Sequence, residues 1–241
     1  NGSDMKQLKN WDNKTWLASK TYIDQFTKYV RAISALKRTD RILDVGCGRA
    51  NIISRLHSRF KLLKKPVGLD LVKHKNPKQN ITFVRSDAVK YLRQTQLTFD
   101  LILIKQSLHL LSKTKRTTLI KLCQAKLNTK GRLLIFTLKS KGNQIPTFRA
   151  FKQKLDQSLK QDEKMINQLA KLLKPLRKTY FKFKVTMTKQ DYIKHLKNRY
   201  ISSLLNFSNQ QIHQGIKEIK QKYPKIIKFN DVLICLTYKK R

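Results

Sequence analysis

The sequence predicts a doubly wound α/β fold, with a seven-stranded, mostly parallel sheet and an antiparallel last strand. Three observations carry this. Apolar runs of strand length recur with helix-length segments between them. The runs are continuous rather than alternating, as strands covered on both faces require. The turn "RILDVGCGRA" (41–50) sets two glycines one residue apart directly after the first run, where open α/β sheets receive ligands.

The elements follow in order. Between Thr15 and Leu36, Tyr22, Phe26, Tyr29, Val30 and Ile33 recur at helical spacing. Five strands are then predicted at "RILDV" (41–45), "PVGLDL" (66–71), "ITFVR" (81–85), "FDLILI" (99–104) and "GRLLIFTL" (131–138). The segments 51–60, 88–94 and 115–127 between them are helical. The stretch 147–173 carries Phe148, Phe151, Leu155, Leu159, Ile166, Leu169 and Leu173 along one face of a long helix, which a proline at 175 ends. "YFKFKVTM" (180–187) alternates as a half-exposed strand does. "TKQD" (188–191) and "SNQQ" (208–211) have capping-box spacing and open two more helices before the last strand, "DVLICLTY" (231–238). One domain is expected over 5–241, with a helical lid inserted at 145–176 between strands five and six. "NGSD" (1–4), ahead of Met5, reads as an expression scar.

Composition bounds the function. No run approaches the roughly 20 apolar residues of a membrane span, and no signal-peptide pattern opens the chain, so a soluble, cytoplasmic protein is expected. Cys47, Cys123 and Cys235 are too few and too scattered for a disulfide framework or a metal site. Against 54 Lys and Arg stand only 14 Asp and Glu, a formal net charge of +40. Such a field attracts phosphate-bearing partners, nucleic acid first among them, although a basic solvated surface gives the same count.

The turn at 46–48 can be weighed against two ligands. A dinucleotide site brings backbone N–H groups against an anionic pyrophosphate through G-x-G-x-x-G. Here Asn51 stands where the last glycine would be, and Asp44, two residues before Gly46, would repel pyrophosphate but attract a cation. Asp70 ends the second strand, and Asp87 follows the third. With Asp44 they place three carboxylates at the carboxyl ends of successive strands, beyond what capping of the following helices would require. Asp100 opens its strand and reads as structural.

On these residues the chain resembles the class I S-adenosylmethionine-dependent methyltransferases, which have a Rossmann-like sheet. "LDVGCGRA" is similar to that family's first motif, in which the acid, here Asp44, lies near the methionine amino group while Gly46, Cys47 and Gly48 let the backbone pass close to the cofactor. The family usually has glycine where Ala50 stands. The resemblance implies that Asp70 binds the ribose hydroxyls, that Leu71 packs on the adenine, and that Asp87 receives the adenine amino group beside the Ala88 backbone. "FDLILIKQSLHLL" resembles the fourth motif and adds Lys105 to the cofactor-binding set. The segment after it looks most like the small-molecule branch, methyltransferase type 11, that includes trans-aconitate methyltransferases.

The resemblance implies methyl transfer to a small, anionic molecule. His109 is the candidate contact with the acceptor, since an imidazole can take its proton near neutral pH. Arg199 and Tyr200, in "NRYISSLL" (198–205), are candidate contacts with an acidic acceptor. RNA methylation, or a methyltransferase-like RNA-binding subunit, is the alternative that the charge keeps open. Against it, "KQSL" (105–108) stands where amine methylation of bases uses an N/D-P-P-aromatic turn, and no cysteine is placed for attack on a pyrimidine.

Overall fold

The computed structural model describes residues 15–75 and 78–240. The expected boundary at Met5 therefore lies outside the described residues. A 3-10 turn at Trp16–Ala18 leads into helix α1 (Lys20–Ser34). The order then runs β1 (Ile42–Val45), α2 (Asn51–Phe60), β2 (Val67–Asp70), β3 (Thr82–Arg85), α3 (Ala88–Gln94), β4 (Phe99–Lys105), α4 (Lys113–Ala125) and β5 (Leu127–Leu138). After these come α5 (Arg149–Leu173), β6 (Arg177–Thr188), α6 (Lys189–Lys197), α7 (Asn209–Lys222) and β7 (Ile226–Lys239).

The seven strands form one sheet in the order β3-β2-β1-β4-β5-β7-β6. β1 to β5 pair in parallel, with Asp44 level with Gly68 of β2 and Leu103 of β4. The backbone bonds Leu176 N to Thr237 O and Lys189 N to Lys225 O run β6 and β7 against each other, as expected of an antiparallel last strand. Every residue of β1 is buried, which is why its run is unbroken by outward polar positions. In β6 the alternation resolves cleanly: Phe181, Phe183 and Val185 are buried while Lys182 and Lys184 point out. Phe181 and Phe183 of that basic stretch are therefore core, while Tyr180 is half exposed.

Chain contacts divide the described residues into two compact units. One contains 23–75, 78–137, 164–181 and 233–240. Its core is a cluster built on Leu43, Val45, Leu69, Ile102, Ile104, Leu133 and Ile135 from the strands and Leu119, Ile120 and Cys123 from α4. Met165, Ile166, Leu169 and Leu173 of α5 belong to the same cluster, each under 5% exposed. The second half of the segment expected as a lid is thus a layer of the fold. The periodic apolar face that marked it as a helix is the face it buries here.

The other unit contains 15–22, 138–163 and 182–232. Its centre is a ring cluster in which Trp16 lies 5.2 Å from Tyr200 and 5.3 Å from Phe229, centroid to centroid. The Trp16 Nε1 donates to Asp231 Oδ2 at 2.7 Å, so the buried indole is paired with one oxygen of a buried carboxylate. Gly215 of α7 lies against Phe148, and a Cβ there would meet the ring at 2.5 Å. Both expected helix caps form: Thr188 Oγ1 accepts from Asp191 N, and Ser208 and Gln211 make a reciprocal capping box. Among the described residues no helix is long and apolar enough to cross a membrane.

Candidate functional site

β1 delivers the chain to the sheet's carboxyl edge at Val45, and the loop that follows turns by repeated left-handed backbone. Gly46 has φ +74°, Gly48 φ +54° and Ala50 φ +59°. A Cβ on Gly46 would meet Ser107 Oγ at 3.0 Å, so the glycine also lets the loops after β1 and β4 close on each other. Ala50 is the first position of the α2 entry and makes no side-chain cap. It holds a conformation that costs a residue with a Cβ about 1–2 kcal/mol, which accounts for glycine being usual there.

The three strand-end carboxylates have three different environments. Asp44 is 5% exposed, and burial pushes its pKa up to about 7, against the nearby Lys105 charge, which lowers it, and with Asp70, which raises it further. Asp70 is aligned by backbone: its Oδ2 accepts from Gly48 N at 2.8 Å and its Oδ1 from Val72 N at 3.0 Å. Each oxygen keeps acceptor capacity after those bonds. Asp87 caps α3 by accepting from Lys90 N, and Lys115 donates to its Oδ2 at 2.6 Å. The Lys115 bond, chiefly, holds its pKa below the usual carboxylate value. Capping is therefore part of what Asp87 does, while neither Asp44 nor Asp70 caps a helix.

Lys105 ends β4. Its Nζ donates to Gln106 Oε1 at 3.0 Å and lies 5.3 Å from the centre of the Phe26 ring of α1. Ring and amide hold the ammonium on the Asp44 side of the site. Cys47 is held far above an ordinary thiol pKa, by burial first and then by Asp44 and Asp70, so it is a packing thiol and not a nucleophile. Its sulfur occupies the space over Gly68, where a Cβ would lie 2.8 Å away. Leu71 is 58% exposed beside Asp70, and Ala88 begins α3 next to Asp87. His109 sits in a 3-10 turn, Leu108–Leu110. Part of its surface is open, yet crowding of the ring, then the Arg116 charge, holds its pKa below the ordinary imidazole value.

Arg199 and Tyr200 require correction as acceptor contacts. Tyr200 is 2% exposed within the ring cluster, and its hydroxyl is shared with that of Tyr192 at 3.0 Å. Arg199 spends its guanidinium on the Phe207 carbonyl and on Asn209 Oδ1, bracing the loop before α7. Both serve their own unit's packing. Asp100, by contrast, is structural as expected, accepting from Arg41 N and Asn128 Nδ2. No local pattern pointed to Lys115, Phe26 or Ser107, because each reaches the site only through tertiary packing. Gly68, a glycine inside a strand run, did carry the usual sign of a close approach.

Residues 42–131 match a family model described as a methyltransferase domain. This segment holds every strand-end carboxylate and the whole of both facing loops. Over this segment the chain is similar to a methyltransferase domain. Its sheet order, with the last strand antiparallel, is that of the class I S-adenosylmethionine-dependent methyltransferases. Solved structures share the architecture at low identity. A methyltransferase of an antibiotic biosynthesis pathway from Anabaena variabilis is 13% identical with a TM-score of 0.62, covering 88% of this chain and 96% of its own. A methyltransferase from Bacillus halodurans is 16% identical with a TM-score of 0.52 at the same coverages. The plantazolicin methyltransferase BpumL, solved with a pentazolic desmethylPZN analog and SAH, is 15% identical with a TM-score of 0.54, covering 98% and 91%. A search of the curated proteins finds no match.

Proposed function

We propose that this methyltransferase transfers a methyl group from S-adenosylmethionine to a small, anionic molecule. The observation that carries the reading is a buried carboxylate, Asp44, at the sheet's carboxyl edge, with the Lys105 charge acting on it. A carboxylate held up to about 7 by burial gains most from a cation brought beside it. The ammonium of the cofactor's methionine is such a cation. With that cation against Asp44, the nearby Lys105 is placed to hold an anion next to the reacting centre.

The rest of the donor set fits the same cofactor. Asp70 presents two backbone-aligned oxygens for a ribose diol. Leu71 offers an exposed apolar face for the adenine, and Asp87 an acceptor for its amino group, shared with Lys115. When bound, S-adenosylmethionine supplies an electrophilic methyl group on a sulfonium. The chain's task is to hold the acceptor in line and exclude water. His109, its pKa lowered, is neutral at pH 7 and can take the proton that an acceptor hydroxyl or amine releases. The small-molecule branch rests on the absence of base-methylating motifs around Lys105.

The test is transfer of labelled methyl into cell extract separated into RNA, lipid, protein and small molecules. Label is expected in anionic small molecules. Lys105, expected in the cofactor-binding set, is read here as a contact of the acceptor: Lys105→Met should raise the acceptor KM at least tenfold, with a smaller change in SAH binding. Label in RNA alone would overturn the acceptor class, and failure of the protein to bind SAH would overturn the cofactor reading.

A further inference from the structure

The opposite edge of the same sheet carries a second feature that the methyltransferase reading does not use. α2 starts at the carboxyl end of β1 and returns to the amino edge before β2, and α1 reaches that edge just before β1. Where α1 and α2 end, they enclose an open depression of about 590 Å³. Lys28 and Arg31 of α1 and Arg59 and Phe60 of α2 line it, with Ala32 and Ala35 keeping its floor low. The Arg31 guanidinium lies over the Phe60 ring at 4.5 Å, and that of Arg59 lies at 5.7 Å. Arg59 is fixed from behind by the carbonyl and carboxylate of Asp24.

The surrounding edge is strongly cationic and built as one piece. The loop after α1 brings Lys37, Arg38 and Arg41, and the loop after α2 brings Lys61, Lys64 and Lys65. The two loops are tied together by Leu63 N to Arg38 O at 2.8 Å and Arg38 Nε to Lys61 O at 3.1 Å. The nearby acids are engaged: Asp24 by Arg55 and Arg59, Asp40 by Lys37 N, and Asp100 by Arg41 N.

We propose that this edge is a docking surface for single-stranded RNA, separate from the methyl-transfer site and independent of the function proposed for it. Arginine forks recognise phosphate bidentately, and a guanidinium stacked on an aromatic ring presents a flat face on which an unpaired base stacks. A concavity of this size accommodates a nucleotide unit. A membrane surface would require a continuous apolar face, and this edge exposes scattered large aliphatic side chains, Leu63 at 66% and Leu97 at 37% among them. Because the docking edge lies across the sheet from Asp44, Asp70 and Asp87, RNA held there is an anchor and not the methyl acceptor.

The experiment is fluorescence anisotropy of a labelled uridine 12-mer with the full chain, across roughly 50 to 200 mM salt. The pair Lys28→Glu with Arg31→Glu should weaken binding at least tenfold. It should also flatten the salt dependence by about 1.4 in log–log slope, at about 0.7 for each phosphate no longer neutralised. The exposed pair Lys154→Glu with Lys160→Glu, identical in charge change, should weaken binding less than threefold. SAH binding should survive in both, which also shows that they fold, and Lys28→Gln with Arg31→Gln should give the same order of effects if the reversal pair does not fold. Equal losses in the two pairs would overturn the site. Displacement of RNA by SAH, or capture by phosphatidylserine vesicles but not by RNA with the same residue dependence, would overturn it as well.

Discussion

As the proposed contact for the cofactor's ammonium, Asp44 makes opposite demands on stability and on binding, and pH separates them. Its carboxyl is 5% exposed and titrates at about 7 in the folded chain, against an ordinary value of 3.8. The folded state therefore holds a proton that the unfolded state has released between pH 4 and 7. Stability is greatest below pH 4 on this account, falls as pH rises through that window, and levels off above 7. Three pKa units correspond to about 4 kcal/mol at most. Cofactor binding follows the other sign, since only the ionised carboxylate attracts an ammonium. SAH affinity should rise about tenfold per pH unit from 5 to 7 and then level. Calorimetric titration with SAH at half-unit pH steps, beside urea unfolding of the unliganded chain at the same pH values, measures both. Asp44→Asn should bind SAH weakly at every pH and lose this component of the stability slope, while His109→Gln should keep the wild-type binding profile. A flat SAH profile in the wild type, or affinity that falls between pH 5 and 7, would refute the reasoning.

Other perturbations follow from the same geometry. Ala50→Gly relieves a left-handed alanine at φ +59° and should stabilise the chain by about 1 kcal/mol, seen as a higher urea midpoint at unchanged slope. Gly215→Ala drives a methyl to 2.5 Å from the Phe148 ring and should cost about 2 kcal/mol in the same assay. Lys115→Met frees Asp87 Oδ2. Because that ion pair is partly exposed, stability should change by less than about 1 kcal/mol, while SAH, relieved of a competitor, should bind several-fold more tightly. Weaker SAH binding would mean that Lys115 bridges to the cofactor.

Much of the sheet was legible because buried parallel strands leave continuous apolar runs: "RILDV" and "FDLILI" fall on β1 and β4 almost to the residue. The edges were less so. β7 begins at Ile226, five residues before the predicted strand, because "IIKFN" mixes lysine and asparagine into its apolar pattern. β5 begins at Leu127, which helical periodicity assigned to the preceding helix, although that helix stops at Ala125. Asp44 and Asp70 fall at the carboxyl ends of β1 and β2, as read from the sequence, because a strand-to-loop position fixes where a side chain goes. Arg199 and Tyr200 could not be assigned correctly, since a local segment does not say whether an aromatic hydroxyl meets a ligand or a second tyrosine.

A net charge of +40 and a cationic cofactor look incompatible until distance is taken into account. From Arg41 to Gly46 the chain rises about 16 Å at roughly 3.3 Å per residue, and the Debye length at physiological salt is about 8 Å. The exposed cations of the amino edge are thus screened through solvent from a ligand at the carboxyl edge, where on the proposed reading Asp44, Asp70 and Asp87 would act on it at contact range. On that reading few acids suffice because they stand at successive strand ends, and Lys105 would lie where an acceptor anion can use it. The two edges can then bind ligands of opposite charge on one sheet. Raising the salt should release RNA steeply while leaving the affinity for SAH nearly unchanged.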